Sequence, residues 1–384
     1  MRGWGVDQMK IAIMGAGIGG LTLSIALERR GHQVSLLEKR PYFAPEGAGV
    51  VLGPNVMSAL RVLGLHEPIL ARGRVVTGMN ITDQDGKLLA RSRYDVAALP
   101  LPGVAIHRTK LHEILRHSFG GALRLGAQVT SIAPGSPPTL VVEDGERIDC
   151  DLVVGADGIR SQLRQLLAPD FETRYSGYTC FRFVVDQQWT DEVFEMWGRG
   201  KRVGVVPLGE GQTYVFTTLN AAARAPRPFS SLNEFKALWS ELGPPACQAF
   251  DALSDLSAVL HNDLEDGLSP RFWAEGLALL GDAAHAVTPN MGQGAGLAIE
   301  DACCLAHQLS GTTELSRALA EYEALRRPRA KWILDRSYSL GKLAQLESGF
   351  GRALRNLALR LTPASLNDGV LRRVVTDMPG VPLA

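Results

Sequence analysis

The sequence predicts an α/β chain with a parallel-sheet nucleotide-binding start, a mixed β-sheet region interleaved with it, and C-terminal helices. Three observations carry this. Lys10 to Gly20 reads as an apolar strand running into a glycine turn. Two further apolar strands, Asp151 to Val154 and Leu277 to Leu280, also end on Gly and Asp. Between them, Tyr175 to Leu264 is rich in β-branched and aromatic residues broken by Gly and Pro, the composition of longer strands.

In chain order, Ile11 to Met14 is a short apolar run suited to a buried parallel strand. Leu21 to Arg30 has helical composition, and Gly31 falls where a left-handed cap would close it. Val34 to Glu38 is the second strand, so the start is a βαβ unit with a right-handed crossover. Residues 75–93 read as a hairpin with Asp85-Gly86 as a type I′ turn. Lys110 to His117 reads as a helix, and Ala127 to Ile132 and Leu140 to Glu143 as strands, with Asp144-Gly145 turning the chain. Cys180 to Val185, Lys201 to Val206 and Thr213 to Leu219 are the clearest strands of the β region. A helix is expected from Leu297, and the remainder reads helical with Pro328 and Pro363 as punctuation.

Composition bounds the function. The 384 residues are 46% hydrophobic and 21% charged, and 40 basic residues balance 40 acidic ones. That is an ordinary globular balance, with no net field to draw nucleic acid. The length favours two units. The five cysteines, Cys150, Cys180, Cys247, Cys303 and Cys304, form no CxxC pair and fit reduced, buried thiols better than disulfides or a metal site. No apolar run is long enough to span a membrane, and Met1 to Gln8 has no signal-peptide character. A cytoplasmic protein is expected.

Gly15, Gly17 and Gly20 form GxGxxG after a strand and at the opening of a helix. The first glycine permits the tight turn, the second a close approach of backbone to pyrophosphate, and the third helix–strand packing. The helix then offers free N–H groups to phosphate. Glu38 ends the second strand, where its carboxylate can accept from ribose hydroxyls. This motif alone does not separate NAD from FAD. Two more motifs do: Gly155-Ala-Asp157-Gly158-Ile-Arg160-Ser161, and Gly281-Asp282 through His285, Pro289, Asn290, Gly292, Gly294 and Gly296.

With the glycine turn, these "DG" and "GD" motifs resemble the class A flavoprotein monooxygenases, the para-hydroxybenzoate hydroxylase-like family, over nearly the whole chain. The resemblance implies a Rossmann-type FAD-binding domain at 9–74, 100–174 and 270–335, a substrate-binding β domain at 75–99 and 175–269, and a helical segment at 336–384. It implies FAD held by Gly15, Gly17, Ile18, Gly19, Gly20, Glu38, Lys39 and Ala48. Arg108 would reach the FAD, Val129 would meet the adenine, and Asp157 would organise the pyrophosphate region. Asp282 would hold a ribityl or ribose hydroxyl. Pro289, Gly292, Gln293, Gly294, Ala295 and Gly296 would lie by the flavin, the three glycines letting the loop lie flat on the ring.

The implied activity is hydroxylation of a small aromatic, heteroaromatic or polycyclic substrate. NADH or NADPH would reduce the flavin, and O2 would be activated as the flavin C4a-hydroperoxide. Tyr178, Arg182, Arg202 and Tyr214 are the candidate substrate residues, since an anionic or phenolic substrate needs a cation and a hydrogen-bond partner. His285 and the Glu321 to Arg329 run read as structural. Epoxidation of an isoprenoid or polyketide is the alternative within the family, and FAD binding without turnover the alternative outside enzymes. The protein would be a monomer or homodimer. Leu340 to Val375, apolar with many arginines, fits a cover on the FAD domain or a dimer contact better than a membrane surface.

Overall fold

The computed structural model describes residues 8–43, 48–93, 101–135, 137–243 and 246–382. The readings on Met1 to Asp7 and on the boundary between residues 99 and 100 lie outside the described residues. The opening strand Lys10–Met14 is central in a six-stranded sheet, flanked by Gln33–Glu38 and Leu152–Gly155. Leu277–Leu279 and Ala122–Leu125 extend that sheet in parallel, and only the edge strand Trp273–Ala274 runs antiparallel. Its inner strands Lys10–Met14, Leu152–Gly155 and Leu277–Leu279 are buried and almost wholly apolar because both faces are covered there, as in parallel sheets.

The first helix, Ile18–Glu28, is buried along almost its whole length. It packs against helix Gly294–Gly311, where a Cβ on Gly19 would come within 2.6 Å of Leu280 and 3.1 Å of Ala298. Gly31 is left-handed at φ +84, and its N–H and that of His32 bond the carbonyls of Glu28 and Leu27. The predicted cap is therefore present.

An eight-stranded sheet forms the second layer. Its order is His285–Ala286, Leu260–Leu268, Arg174–Val185, Thr213–Asn220, Lys201–Pro207, Val193–Trp197, Gly78–Asp83 and Leu88–Arg93. Alternation gives it two different faces. Phe181, Phe183, Val203, Val205 and Val215 point to an aromatic core with Phe235 and Phe250 from two short helices and Trp239 from the turn after the first. Residues of the opposite parity, including Arg182, Arg202, Tyr214 and Phe216, face the other way.

Three local expectations are corrected. The 75–93 hairpin exists, but only Gly86 has positive φ. Asp83 receives a bond from Gly86 N–H and donates to Lys87, so the loop is a three-residue turn with a glycine bulge, not type I′. Pro328 does not interrupt the chain. It lies inside helix Leu315–Ala344, whose buried side chains hold it together across the lost backbone bond. The helix expected from Leu297 starts at Gly294.

Four charged residues and one histidine fix these helices from inside. Glu300 and Asp301 are fully buried on helix Gly294–Gly311. Arg326 spans both, with Nε 2.7 Å from Asp301 and Nη2 2.7 Å from Glu300. Arg329 donates to Glu300 and to the carbonyl of Val374. His285 Nε2 lies 2.5 Å from Asp301. The Glu321 to Arg329 run is thus a structural element, as is His285.

Removing one partner of a buried pair leaves an uncompensated charge, so Arg326→Met should cost ~3–5 kcal/mol in urea unfolding. A loss under ~1 kcal/mol would contradict a structural role for the cluster. Burial opposes ionisation of Asp301, but His285 and Arg326 outweigh it and hold its carboxyl down at about 2, from an ordinary 3.8. Its stabilisation is present above the ordinary value and lost as pH falls towards about 2. For His285, burial opposes the charge, yet Asp301 raises its pKa above 6.5. That contribution is present below pH 6.5 and lost as pH rises through the folded value. Thermal midpoints followed across pH should show an acid limb that Asp301→Asn flattens.

Candidate active site

A cleft of about 970 Å³ opens at the carboxyl edge of the parallel sheet, where open α/β sheets bind ligands. It gathers Gly15, Gly17, Ile18, Glu38, Lys39, Arg108, Val129 and Asp157 from the predicted set, with Arg182 from the second sheet. Gly15 has φ +102, and a Cβ there would lie 2.4 Å from Ala156 O. A Cβ on Gly20 would lie 1.9 Å from Gly15 O, so this glycine is a packing requirement. A Cβ on Gly17 would meet nothing within 4 Å. Gly17 is the N-cap of the first helix, and its open side together with the unpaired first-turn N–H groups makes room for a phosphate.

Glu38 accepts from the N–H of Ala16 at 2.9 Å and of Arg40 at 3.0 Å. Both oxygens are thereby oriented and keep lone pairs free for hydroxyl donors. Val129 is buried, and its carbonyl receives the side-chain amide of Gln128. Asp157 Oδ2 accepts from the N–H of Gln162, whereas its buried Oδ1 has no partner. A buried carboxylate oxygen without a donor at the wall of such a cleft suits a ligand that brings one. The donors, the open glycine and this orphaned oxygen fit the diphosphate and hydroxyl groups of FAD.

Arg108 opens helix Arg108–Ser118, and its N–H bonds Ala48 O at 2.9 Å. Ala48 is buried, so its part is to carry this backbone contact. Asp282 is exposed to solvent yet crowded by protein, which pushes its carboxyl pKa up, while His285, Arg108 and Arg164 act in the opposite sense. Pro289–Met291 forms a short turn closed by left-handed Gly292 at φ +62. The three glycines do not act alike. Gly292 makes the turn, Gly294 opens the helix, and Gly296 packs so closely that a Cβ would reach Val56 at 2.7 Å. A flat loop of three glycines is therefore replaced by a turn and a helix N-terminus. Gln293 is buried, and its side-chain oxygen accepts from Asn55 at 3.2 Å; Ala295 is half-buried in the first helical turn.

The four substrate candidates share one sheet face but not one role. Arg202 is 2% exposed, with Nη1 on Glu195, Nε on Thr218 and Gln345, and Nη2 on Asn290. The Tyr178 hydroxyl accepts from Asn290 at 2.9 Å. Both residues fasten the Pro289 turn to the second sheet, and Arg202 is not available as a cation for substrate. Arg182 lines the cleft, donates to Asn262, and keeps a buried Nε without a partner. Burial pushes the pKa of Tyr214 up against the pull of Arg182 and Arg108, so at neutral pH its phenol is a hydrogen-bond donor.

Several residues here carried no signal in the one-dimensional pattern. Arg164 is buried and donates to the carbonyls of Ile159, Asp282 and Ala283, joining the second motif to the third. Asn55 bonds both Gln293 and Glu300. The outer edge of the Phe216 ring lies against Gly204, whose added Cβ would sit 2.0 Å from it. Alternation about Tyr214, with a glycine on the paired strand, was the available clue to Phe216.

A family model described as an FAD binding domain matches residues 8–337. The chain is 38% identical to an aurachin C monooxygenase/isomerase of Stigmatella aurantiaca, over 97% of this chain and 99% of that one. It is 32% identical to a 2-heptyl-3-hydroxy-4(1H)-quinolone synthase of Pseudomonas aeruginosa, over 96% of this chain and 98% of that one. The crystal structure of Klebsiella pneumoniae HpxO with FAD and uric acid superposes with a TM-score of 0.88 at 24% identity, covering 97% of this chain and 99% of that one. A nucleotide cleft with an FAD-compatible donor set, joined to this second sheet, thus belongs to a protein of the FAD-binding-domain family of flavoprotein monooxygenases.

Proposed function

We propose that this flavoprotein monooxygenase hydroxylates a bicyclic heteroaromatic compound of the 4-quinolone type, uncharged and carrying an apolar tail, with NADH or NADPH as reductant. The observation that carries the reading is the face formed by Tyr214 and Phe216. Their ring centroids lie 6.0 Å apart, Phe216 lies against Gly204, and Val51, Val184 and Val206 surround them. An apolar aromatic floor with few polar groups suits a planar ring system. The similarity to a 2-heptyl-3-hydroxy-4(1H)-quinolone synthase supports the same substrate class.

Arg182 supplies the positive charge on this face. With Arg202 engaged by Glu195, Thr218, Gln345 and Asn290, Arg182 is the guanidinium left beside the floor, its Nη2 on Asn262, and it suits a carbonyl oxygen through a charge-assisted bond. Tyr214 donates its phenolic hydrogen to a ring carbonyl, and Arg182 offers its unpartnered Nε beside it. FAD, when bound, supplies the activation of O2 after reduction by the nicotinamide. Gly17 and the first-turn N–H groups would hold its pyrophosphate, Glu38 its ribose and Asp157 a hydroxyl. The buried sheet face keeps water from the reacting ring. The epoxidase alternative stays within the same site, since an apolar floor also accepts an alkene.

Tyr214→Phe should retain FAD and lower substrate-stimulated NAD(P)H oxidation on a 2-alkyl-4-quinolone by about tenfold or more, the cost of one hydrogen bond to a carbonyl. Unchanged turnover, or preference for salicylate over the quinolone, would overturn the substrate assignment. Gly17→Val should weaken FAD binding by at least tenfold in fluorescence titration, with the apoprotein melting as before because its side chain meets open space. Gly20→Ala should instead destabilise the apoprotein itself. If the Gly17 variant binds FAD normally, the pyrophosphate lies elsewhere.

A further inference from the structure

Helix Gly349–Leu361 is turned inside out relative to a surface helix of a globular protein. Phe350, Leu354, Leu357 and Leu361 are 81%, 58%, 54% and 72% exposed. Their spacing of four, three and four residues sets them on one stripe. Exposed Ala353 and Ala358 border it. The polar residues lie on the inner side. Arg355 is buried against Trp197 and the carbonyls of Leu343 and Ala344, Arg352 bonds Gln84, and Arg360 pairs with Asp83 at the rim. Leu359 contributes to the apolar cluster beneath. The protein core thus uses the polar side of this helix and leaves its apolar side to the surroundings.

The segment carrying the stripe has a modest positive excess. Glu347 to Asp377 contains five arginines (352, 355, 360, 372 and 373) and three acids, Glu347, Asp368 and Asp377, although the whole chain is neutral. Arg372 and Arg373 are exposed on the following helix, Arg373 pairing with Asp377. A helix that presents Phe and Leu outward while its polar side is fastened to the protein can enter a bilayer interface through that stripe. The stripe is about 20 Å long and roughly 10 Å wide, well short of the roughly 800 Å² per partner in a standard protein interface. A bilayer sets no such minimum, because each side chain enters the acyl boundary on its own. Among the described residues no helix is long and apolar enough to cross a membrane, so the contact is with one surface only.

We propose that helix Gly349–Leu361 docks this protein on an anionic lipid surface, its four-residue apolar stripe entering the headgroup boundary. This stands apart from the choice of substrate.

The test is flotation of the FAD-loaded, full-length protein with vesicles of phosphatidylcholine and phosphatidylglycerol. The protein should float with them, less with phosphatidylcholine alone, and less at high salt. Phe350→Ser combined with Leu357→Ser should lower the bound fraction about tenfold. The flavin spectrum, the melting temperature and the lipid-free sedimentation coefficient should stay as in the parent. Absence of flotation by the parent protein, or equal flotation of the double variant, would overturn the proposal. So would a lipid-free dimer that the double variant dissociates, which would assign the stripe to a second copy of the chain.

Discussion

The fold depends on the buried carboxylates Glu300 and Asp301. Helix Gly294–Gly311 carries them into the interior, where neither is solvated. Asp301 is satisfied by the Gly281 N–H, His285 and Arg326, and Glu300 by Asn55, Arg326 and Arg329. These partners come from the third motif, the helix Pro54–Val62 and the helix Leu315–Ala344. An unpaired buried charge is far costlier than any one of these bonds. Each segment is therefore held where its donor is needed, and the motif from Gly281 to His285 is fixed with them.

The Pro289 turn receives a second set of constraints from the other side. The two hydrogens of Asn290 Nδ2 are shared among the Tyr178 hydroxyl, Thr288 Oγ1 and the Ser337 carbonyl, and its Oδ1 accepts from Arg202. Arg202 is anchored in turn by Glu195, Thr218 and Gln345. The turn thus couples the parallel-sheet layer to the eight-stranded sheet through directional bonds inside a dry interior. Such networks specify one geometry when every member is satisfied. A site assembled from two layers gains its register in this way, since apolar packing alone tolerates sliding.

Much of this was legible in one dimension. The βαβ start, Gly31 as a left-handed cap and the strands ending at Gly155 and near Gly281 follow from short-range rules, because period and turn chemistry are local. What the pattern does not show has one physical cause. Asp85-Gly86 suggests a two-residue turn, but the glycine alone adopts positive φ and the loop has three residues. Pro328 suggests an interruption, yet tertiary burial carries the helix through it. Arg202 and Tyr178 look like Arg182 and Tyr214 in one dimension because all are polar residues in one β region. Only the pairing of distant segments shows that the first two are consumed by Asn290 and the third motif. Arg164 and Asn55 were missed for the same reason, since their partners lie more than a hundred residues away.

This division of labour bears on what the site can recognise. A guanidinium with three occupied nitrogens presents no fork to a carboxylate, and freeing it would leave Glu195 buried without a partner. Under the proposed function, recognition falls to the Phe216 ring beside Gly204, the Tyr214 phenol held un-ionised by burial, and the charge-assisted donor of the Arg182 Nε. A planar ring with one carbonyl would meet all three, its oxygen accepting from Tyr214 and from Arg182. The proposed apolar substrate would give the outward-facing stripe of Phe350, Leu354, Leu357 and Leu361 a consistent place in the molecule. A compound with an apolar tail concentrates in lipid, where an enzyme docked through that stripe would meet it.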